Sequence, residues 1–365
     1  MSKFLAGVVL GAVLWVAFGC SGDDESSNAT GPKDASTDGK AGADSASGGS
    51  GGAGGTGGAS GTGGAAGNAA DAATDACPNC PSGTHSGFVV SELRVPATNT
   101  QAREFGLDLD ADGIVDNQLG SVFATLSGQG FDIQQATDNA VLKGDILTLF
   151  DFQTASFSDA TGAVLSVKLG ANPTPAPCTN PTDISTCGKH LAGTGTFDIA
   201  TSSPTDAIVQ GAVAGGVFDG GPGKLLVQVA FGAGAPITLE LIGARVKATG
   251  ISATGMTDVI LAGGVTQNEI DTQFLPSLAA QLATLIAQDC TGLPYPCGCT
   301  DGSTGKTLIG LFDLDHDCAV PVSEIKSNSL IQSLLAPDVD IAGVKALSFG
   351  VKASAATAKF PGIGN

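Results

Sequence analysis

Between Asp145 and Ala262 the chain is written in short apolar runs, several alternating with polar residues, and separated by glycine-rich stretches. Alternation of period two puts successive side chains on opposite faces of a strand, so each run can bury one face of a sheet. The expected strands are Phe88–Val95, Asp145–Phe152, Ala163–Lys168, Gly195–Ile199, Asp206–Phe218, Lys224–Phe231, Ile237–Ala248, Asp258–Ala262 and a last one over residues 346–353. Asp219-Gly220-Gly221-Pro222-Gly223 reads as a hairpin turn, because glycine reaches positive φ without steric cost. Three glycines inside Asp206–Phe218 weaken that strand or mark a bulge. The implied class is mainly β, an antiparallel β-sandwich or open barrel. With aromatic residues at only 5%, its layers must pack from Ala, Val and Leu.

Helical patterns interrupt the strands. A short helix is expected over Leu119–Leu126. Thr266 and Glu269 have the spacing of a capping box, and Ile270, Phe274, Leu278, Leu282 and Leu285 then recur on one helical face. That stripe is core packing, and Pro276 should kink or restart the helix. Further helices are expected over Thr307–Phe312 and Val322–Leu335, the latter packing through Ile325, Leu330, Leu334 and Leu335 and stopped by Pro337. Residues 266–337 thus form a helical insertion ahead of the final strand.

Between those two helices lies Asp313-Leu-Asp-His-Asp-Cys-Ala-Val-Pro-Val-Ser-Glu324. Asp313, Asp315 and Asp317 hold positions 1, 3 and 5, the Ala319 carbonyl position 7, Val320 the apolar position 8 and Glu324 position 12. A hard cation such as calcium takes about six to eight oxygens near ~2.4 Å, which alternate carboxylates and a bidentate glutamate supply. Thr307–Leu335 resembles an EF-hand on these residues, and the resemblance implies calcium as the ligand. One departure is Cys318 at position 6, where glycine is usual; Pro321 at position 9 gives no side-chain ligand. A disulfide from Cys318 would hold the turn that glycine otherwise adopts.

A second acidic loop runs through Asp108, Asp110, Asp112, Gly113 and Asp116. It is similar to the D-x-D-x-D-G-x-x-D loops of thrombospondin type 3 repeats as much as to an EF-hand. Position 12 is Leu119, so an acid from elsewhere must close it, and Asp338 and Asp340 stand as candidates.

The amino terminus reads as an address. Lys3 and the apolar run Phe4–Phe18 form a signal peptide over residues 1–19. Ala17-Phe18-Gly19-Cys20 resembles the lipobox of bacterial lipoproteins, which implies cleavage before Cys20, its lipidation and a membrane anchor in the cell envelope, at the outer membrane or cell surface. Ala17 and Phe18 depart from the usual residues; an ordinary signal peptide is the alternative. The stretch 20–76 then follows as lipidated cysteine and tether, all Gly, Ala, Ser, Thr and Asp in character and free of aromatics. Such composition cannot bury enough apolar surface to offset its ordering entropy. A flexible chain of ~55 residues spans on the order of 40 Å. The folded body is expected over 77–365.

Of nine cysteines, Cys20 is set aside and eight remain, an even number that suits an oxidising compartment. Cys77 with Cys80 and Cys178 with Cys187 are expected pairs. Among Cys290, Cys297, Cys299 and Cys318, a 297–299 bridge is too tight, so one of those two should reach Cys318. Zinc at Cys77, Cys80 and His85, or at Cys187 and His190, lacks a complete four-ligand spacing.

A net charge of −19 argues against nucleic acid as a partner. Gly302–Thr307 mimics the end of a phosphate loop, but Thr300 stands where its first glycine belongs, so it reads as a turn and helix start. No G-x-S-x-G elbow occurs in the body, and the mature chain holds one tyrosine, Tyr295, and no tryptophan. The expected function is that of a non-catalytic, envelope-anchored calcium-binding lipoprotein, in which calcium clamps acidic loops. A surface hydrolase, or a calcium-dependent adhesin or assembly module, is the alternative.

Overall fold

The computed structural model describes residues 83–363 except 129–130, 182–186 and 233. The signal segment, Cys20, the tether and the Cys77–Cys80 pair lie outside the described residues.

Alternating burial is clearest in the strand Ile237–Ser252, where Ile237, Leu239 and Leu241 face inward and then Ala244, Val246 and Ala248 do. The parity changes at Gly243, whose φ of +56° absorbs one extra residue as a bulge. In chain order the strands are β1 (Thr84–Arg94), β2 (Thr148–Thr154), β3 (Ala160–Thr174), β4 (Gly195–Ile199), β5 (Ile208–Ala214), β6 (Val217–Val229), β7 (Ile237–Ser252), β8 (Gly255–Thr266), β9 (Val339–Ile341) and β10 (Val344–Lys359). Eight of them, β1-β2-β3-β5-β6-β7-β8-β10, pair antiparallel in sequence order, and β10 returns to β1. β4 and β9 are additions at the side of β10, β4 running parallel to it.

The sheet is therefore a closed antiparallel barrel, where a sandwich or open barrel was expected. Closure uses Lys352–Thr357, which pair with Phe88–Arg94. Ser354–Thr357 lie beyond the expected end of the last strand at residue 353. From Ala353 on the residues are small and weakly patterned, Ala-Ser-Ala-Ala-Thr, so nothing apolar marks them as a strand.

An eight-stranded barrel has an interior that side chains just fill. Phe152 of β2 and Phe218 of β6, from strands that are not neighbours, meet at 5.2 Å across it. A second aromatic group ties helices to the barrel. Phe123, from α2 (Gln118–Gly128), touches Phe231 just beyond β6, Phe349 of β10 and Phe274. α1 (Asn99–Glu104) and α3 (Ile133–Lys143) complete the first helical group; neither was read in the sequence.

The glycine-rich hairpin sits elsewhere than expected. Gly215-Gly216, both at positive φ, make the two-residue turn between β5 and β6, with Ala214 paired to Val217. The expected strand Asp206–Phe218 is thus split by its own glycines. Asp219–Gly223 instead lies inside β6 as a bulged stretch. Its glycines allow close backbone approach: a Cβ on Gly223 would stand 2.3 Å from the Ile208 carbonyl.

Between β8 and β9 the chain is helical. α4 (Gln267–Glu269) is capped by Thr266, whose hydroxyl accepts from the Glu269 N–H. A π turn, Ile270–Phe274, leads into α5 (Leu275–Asp289). Pro276 brings no N–H, which fits a widened turn just ahead of it. α6 (Thr304–Phe312), α7 (Val322–Ser327) and α8 (Ser329–Leu334) follow. The single helix expected over Val322–Leu335 is broken at Asn328, whose ψ of 123° leaves the helix and whose side chain caps α8. Ile325 and Leu335 are buried as expected, but Leu330 is exposed and Ile331 takes the inward place. Among the described residues no helix is long and apolar enough to cross a membrane.

Candidate metal-binding loops

The loop Asp313–Glu324 is delivered by α6 and closed by α7. Ser303 caps α6 by accepting from the Lys306 N–H, so Gly302–Thr307 is a turn and a helix start. Leu308, Ile309 and Phe312 bury one face of α6, which places Asp313 at the floor of the loop, only 5% exposed. On the far side Val320 and Ile325 are buried anchors, and Glu324 between them is 7% exposed.

Asp313 Oδ1 accepts from the Asp317 N–H at 3.1 Å and Oδ2 from the Cys318 N–H at 3.1 Å. Glu324 Oε1 accepts from Leu314 N–H at 2.9 Å and from Asp315 N–H at 3.1 Å. Glu324 Oε2 is buried and has no hydrogen-bond partner. One oxygen each of Asp313, Asp315 and Glu324 lies within 4.8 Å of the others. An ionised oxygen stripped of water and of donors is costly, and like charges this close repel. These three carboxylates form a group of oxygens that can hold a metal ion. Asp317 is exposed and its Oδ1 accepts from the Ala319 N–H, so it is turned along the loop.

The loop Asp108–Asp116 repeats this geometry. Residues 4 and 6 of each loop have positive φ: Ala111 (+66°) and Gly113 (+88°) in one, His316 (+62°) and Cys318 (+69°) in the other. In each, Oδ2 of the first aspartate accepts from the N–H of residue 6, at 3.0 Å from Gly113 and 3.1 Å from Cys318. In each, the third-position aspartate accepts from the fifth N–H, and the fifth-position aspartate from the seventh. The closing carboxylates differ in position but not in role. Asp116 Oδ2 accepts from the second-position N–H, that of Leu109, at 2.7 Å, as Glu324 does from Leu314. Asp116 at position 9 therefore takes the place that the template reserves for position 12. Asp108, Asp110 and Asp116 form the second group of carboxylates within 4.8 Å.

Its anchors explain the early closure. Leu109 packs with Ala262, Val339 and Ala346 on the outer side of the barrel. Asn117 is buried and bonds Ala102, Gly120 and both backbone groups of Gly350. Ser348 accepts from the Gln118 N–H and donates to Asp338. The loop must thus finish within nine residues, before Asn117. Asp338 is brought close enough to act on Asp116. Burial pushes the Asp116 carboxyl above its ordinary value, the Leu109 N–H opposes this, and the charges of Asp110, Asp338 and Asp112 add to the rise. Asp340 is instead paired with Lys345 at 3.0 Å and accepts from Gly343.

Disulfides join Cys178 to Cys187, Cys290 to Cys299 and Cys297 to Cys318. The last brings its sulfurs beside Asp313, but as a disulfide they are not thiolate ligands. Cys187 is likewise consumed, so a zinc set with His190 is ruled out; that imidazole is buried against Phe197, and burial lowers its pKa. A left-handed φ costs a non-glycine residue about 1–2 kcal/mol. The Cys297–Cys318 crosslink lies where it can hold that conformation. His85 Nδ1 lies 2.8 Å from Asp151 Oδ1, a pair on neighbouring strands that the sequence did not suggest.

No protein-family model matches the chain, and no curated protein or solved structure matches it.

Proposed function

We propose that the chain is an envelope-anchored, non-catalytic calcium-binding lipoprotein in which calcium clamps acidic loops of a β-barrel body. Cys20 is the lipid attachment and residues 20–76 the tether. Asp313, Asp315, Asp317, the Ala319 carbonyl and Glu324 bind the tighter ion, in an EF-hand-like insertion between β8 and β10. Asp108, Asp110, Asp112 and Asp116 bind the weaker one. An all-oxygen donor set suits a hard cation.

The observation that carries this reading is the buried, partnerless Oε2 of Glu324, on a carboxylate that stands within 4.8 Å of those of Asp313 and Asp315. The test is a melting curve with calcium, with magnesium and with chelator. Binding to the folded state alone stabilises by about 2.7 kcal/mol at a hundredfold excess over Kd. A rise with calcium is expected; an unchanged melting temperature overturns the reading. A hydrolase has the His85–Asp151 pair in its favour, and a substrate screen lost in His85→Ala would promote it.

A further inference from the structure

The two loops differ most at position 6. Gly113 has φ +88°, and an added Cβ there would meet nothing within 4 Å. Cys318 holds nearly the same backbone with a side chain, φ +69°, and its N–H fixes Asp313 Oδ2. What holds it is Cys297, fully buried and itself at φ +70°. Cys297 is fixed in turn by its N–H to the Pro294 carbonyl and by the Thr291 and Gly292 N–H groups on its own carbonyl. The Cys290–Cys299 bridge closes the same short segment. The residue whose N–H orients Asp313 is therefore tied covalently to a buried, hydrogen-bonded segment.

We propose that the Cys297–Cys318 disulfide is a redox gate on calcium affinity at Asp313–Glu324; this rests on the calcium reading above. A dithiol reductant supplies two electrons and two protons. The S–S bond breaks, two cysteine thiols form, and the reductant closes to its own disulfide. Cys318 then relaxes from positive φ, and its N–H no longer holds Asp313. Linkage is reciprocal, so bound calcium protects this disulfide from reduction by the factor that the disulfide adds to calcium affinity.

The experiment uses the full chain and two double variants, Cys297→Ser with Cys318→Gly and Cys297→Ser with Cys318→Ala, with calcium titrated calorimetrically. The Ala variant should bind about tenfold more weakly than the wild type. The Gly variant should stay within about threefold, because glycine takes the turn unaided. Equal affinity in all three, or equal loss in both variants, overturns the gate while leaving calcium binding standing. Absence of calcium binding in the wild type overturns both. The wild type gives a second reading that needs no variant to fold. In a dithiol redox buffer brought to equilibrium, then quenched by alkylation of Cys297 and Cys318 and read by peptide mapping, the dithiol-to-disulfide ratio that reduces half of this bridge should be about tenfold higher in calcium than in chelator. Equal ratios overturn the proposal.

Discussion

The loops Asp108–Asp116 and Asp313–Glu324 share a backbone and differ in what surrounds it. Both turn through positive φ at positions 4 and 6, and both aim their first three aspartates at N–H groups of the loop itself. Asp313–Glu324 is closed from the next helix, by a glutamate 7% exposed that leaves one oxygen without a donor. Asp108–Asp116 is closed from within, by a less buried aspartate whose loop is pinned to β10 through Asn117 and Ser348. Acidic spacing thus goes with the turn, while the closing residue sets how deeply the carboxylates are buried. In the first loop the closing contact to Leu109 is made by a half-buried carboxylate, and in the second, one carboxylate oxygen is buried without a hydrogen-bond donor.

Glu324→Ala gives the largest expected break. It should remove most of the calcium-dependent stabilisation, about 2.7 kcal/mol at a hundredfold excess over Kd, and Asp116→Ala should remove less. Melting curves of both variants with calcium and chelator decide the order. If Asp116→Ala removes the greater part, the ranking of the two loops is reversed.

Gly113→Ala comes next. Space is open around the new methyl, so its cost is that of φ +88° alone, about 1–2 kcal/mol in chelator. Urea unfolding measures it. A variant as stable as the wild type would mean that the first loop does not hold this turn, and the likeness of the two backbones would fail.

Much of this was written in the sequence wherever a residue type has one use. Asp313, Asp315 and Glu324 stand at oxygen-ligand spacing and do converge, and Cys178–Cys187 and a bridge to Cys318 from either Cys297 or Cys299 follow from local arithmetic, the structure choosing Cys297. Residues with two uses misled. Gly215-Gly216 and Gly220–Gly223 look alike as glycine runs, yet one turns the chain and the other lets strands approach. Ala353–Thr357 closes the barrel with side chains too small to mark a strand. Asn328 breaks a helix whose apolar spacing continues past it. Asp116 was visible as an acid but not as the closer, because that role depends on Asn117 being held by Gly350, far away in sequence.

The smallest effect is a matter of sign. The carboxyl of Asp116 is raised in the folded state above its ordinary 3.8, chiefly by burial and then by Asp110, Asp338 and Asp112. As pH falls from neutral through that raised value, the folded chain takes up this proton before the unfolded chain does. Its stability contribution therefore increases on acidification, and the gain is complete below 3.8, where both states are protonated. Asp116→Asn removes the titration, so the difference in melting temperature between wild type and variant, in chelator, should shift in favour of the wild type from pH 7 toward pH 4 (approximate bounds set by the carboxylate range). Saturating calcium favours the ionised form, which should flatten or invert the slope. A difference that moves against the wild type on acidification in chelator would mean that Asp116 is stabilised as a carboxylate without any cation, and the first loop would then be a satisfied acidic turn in contrast to the second.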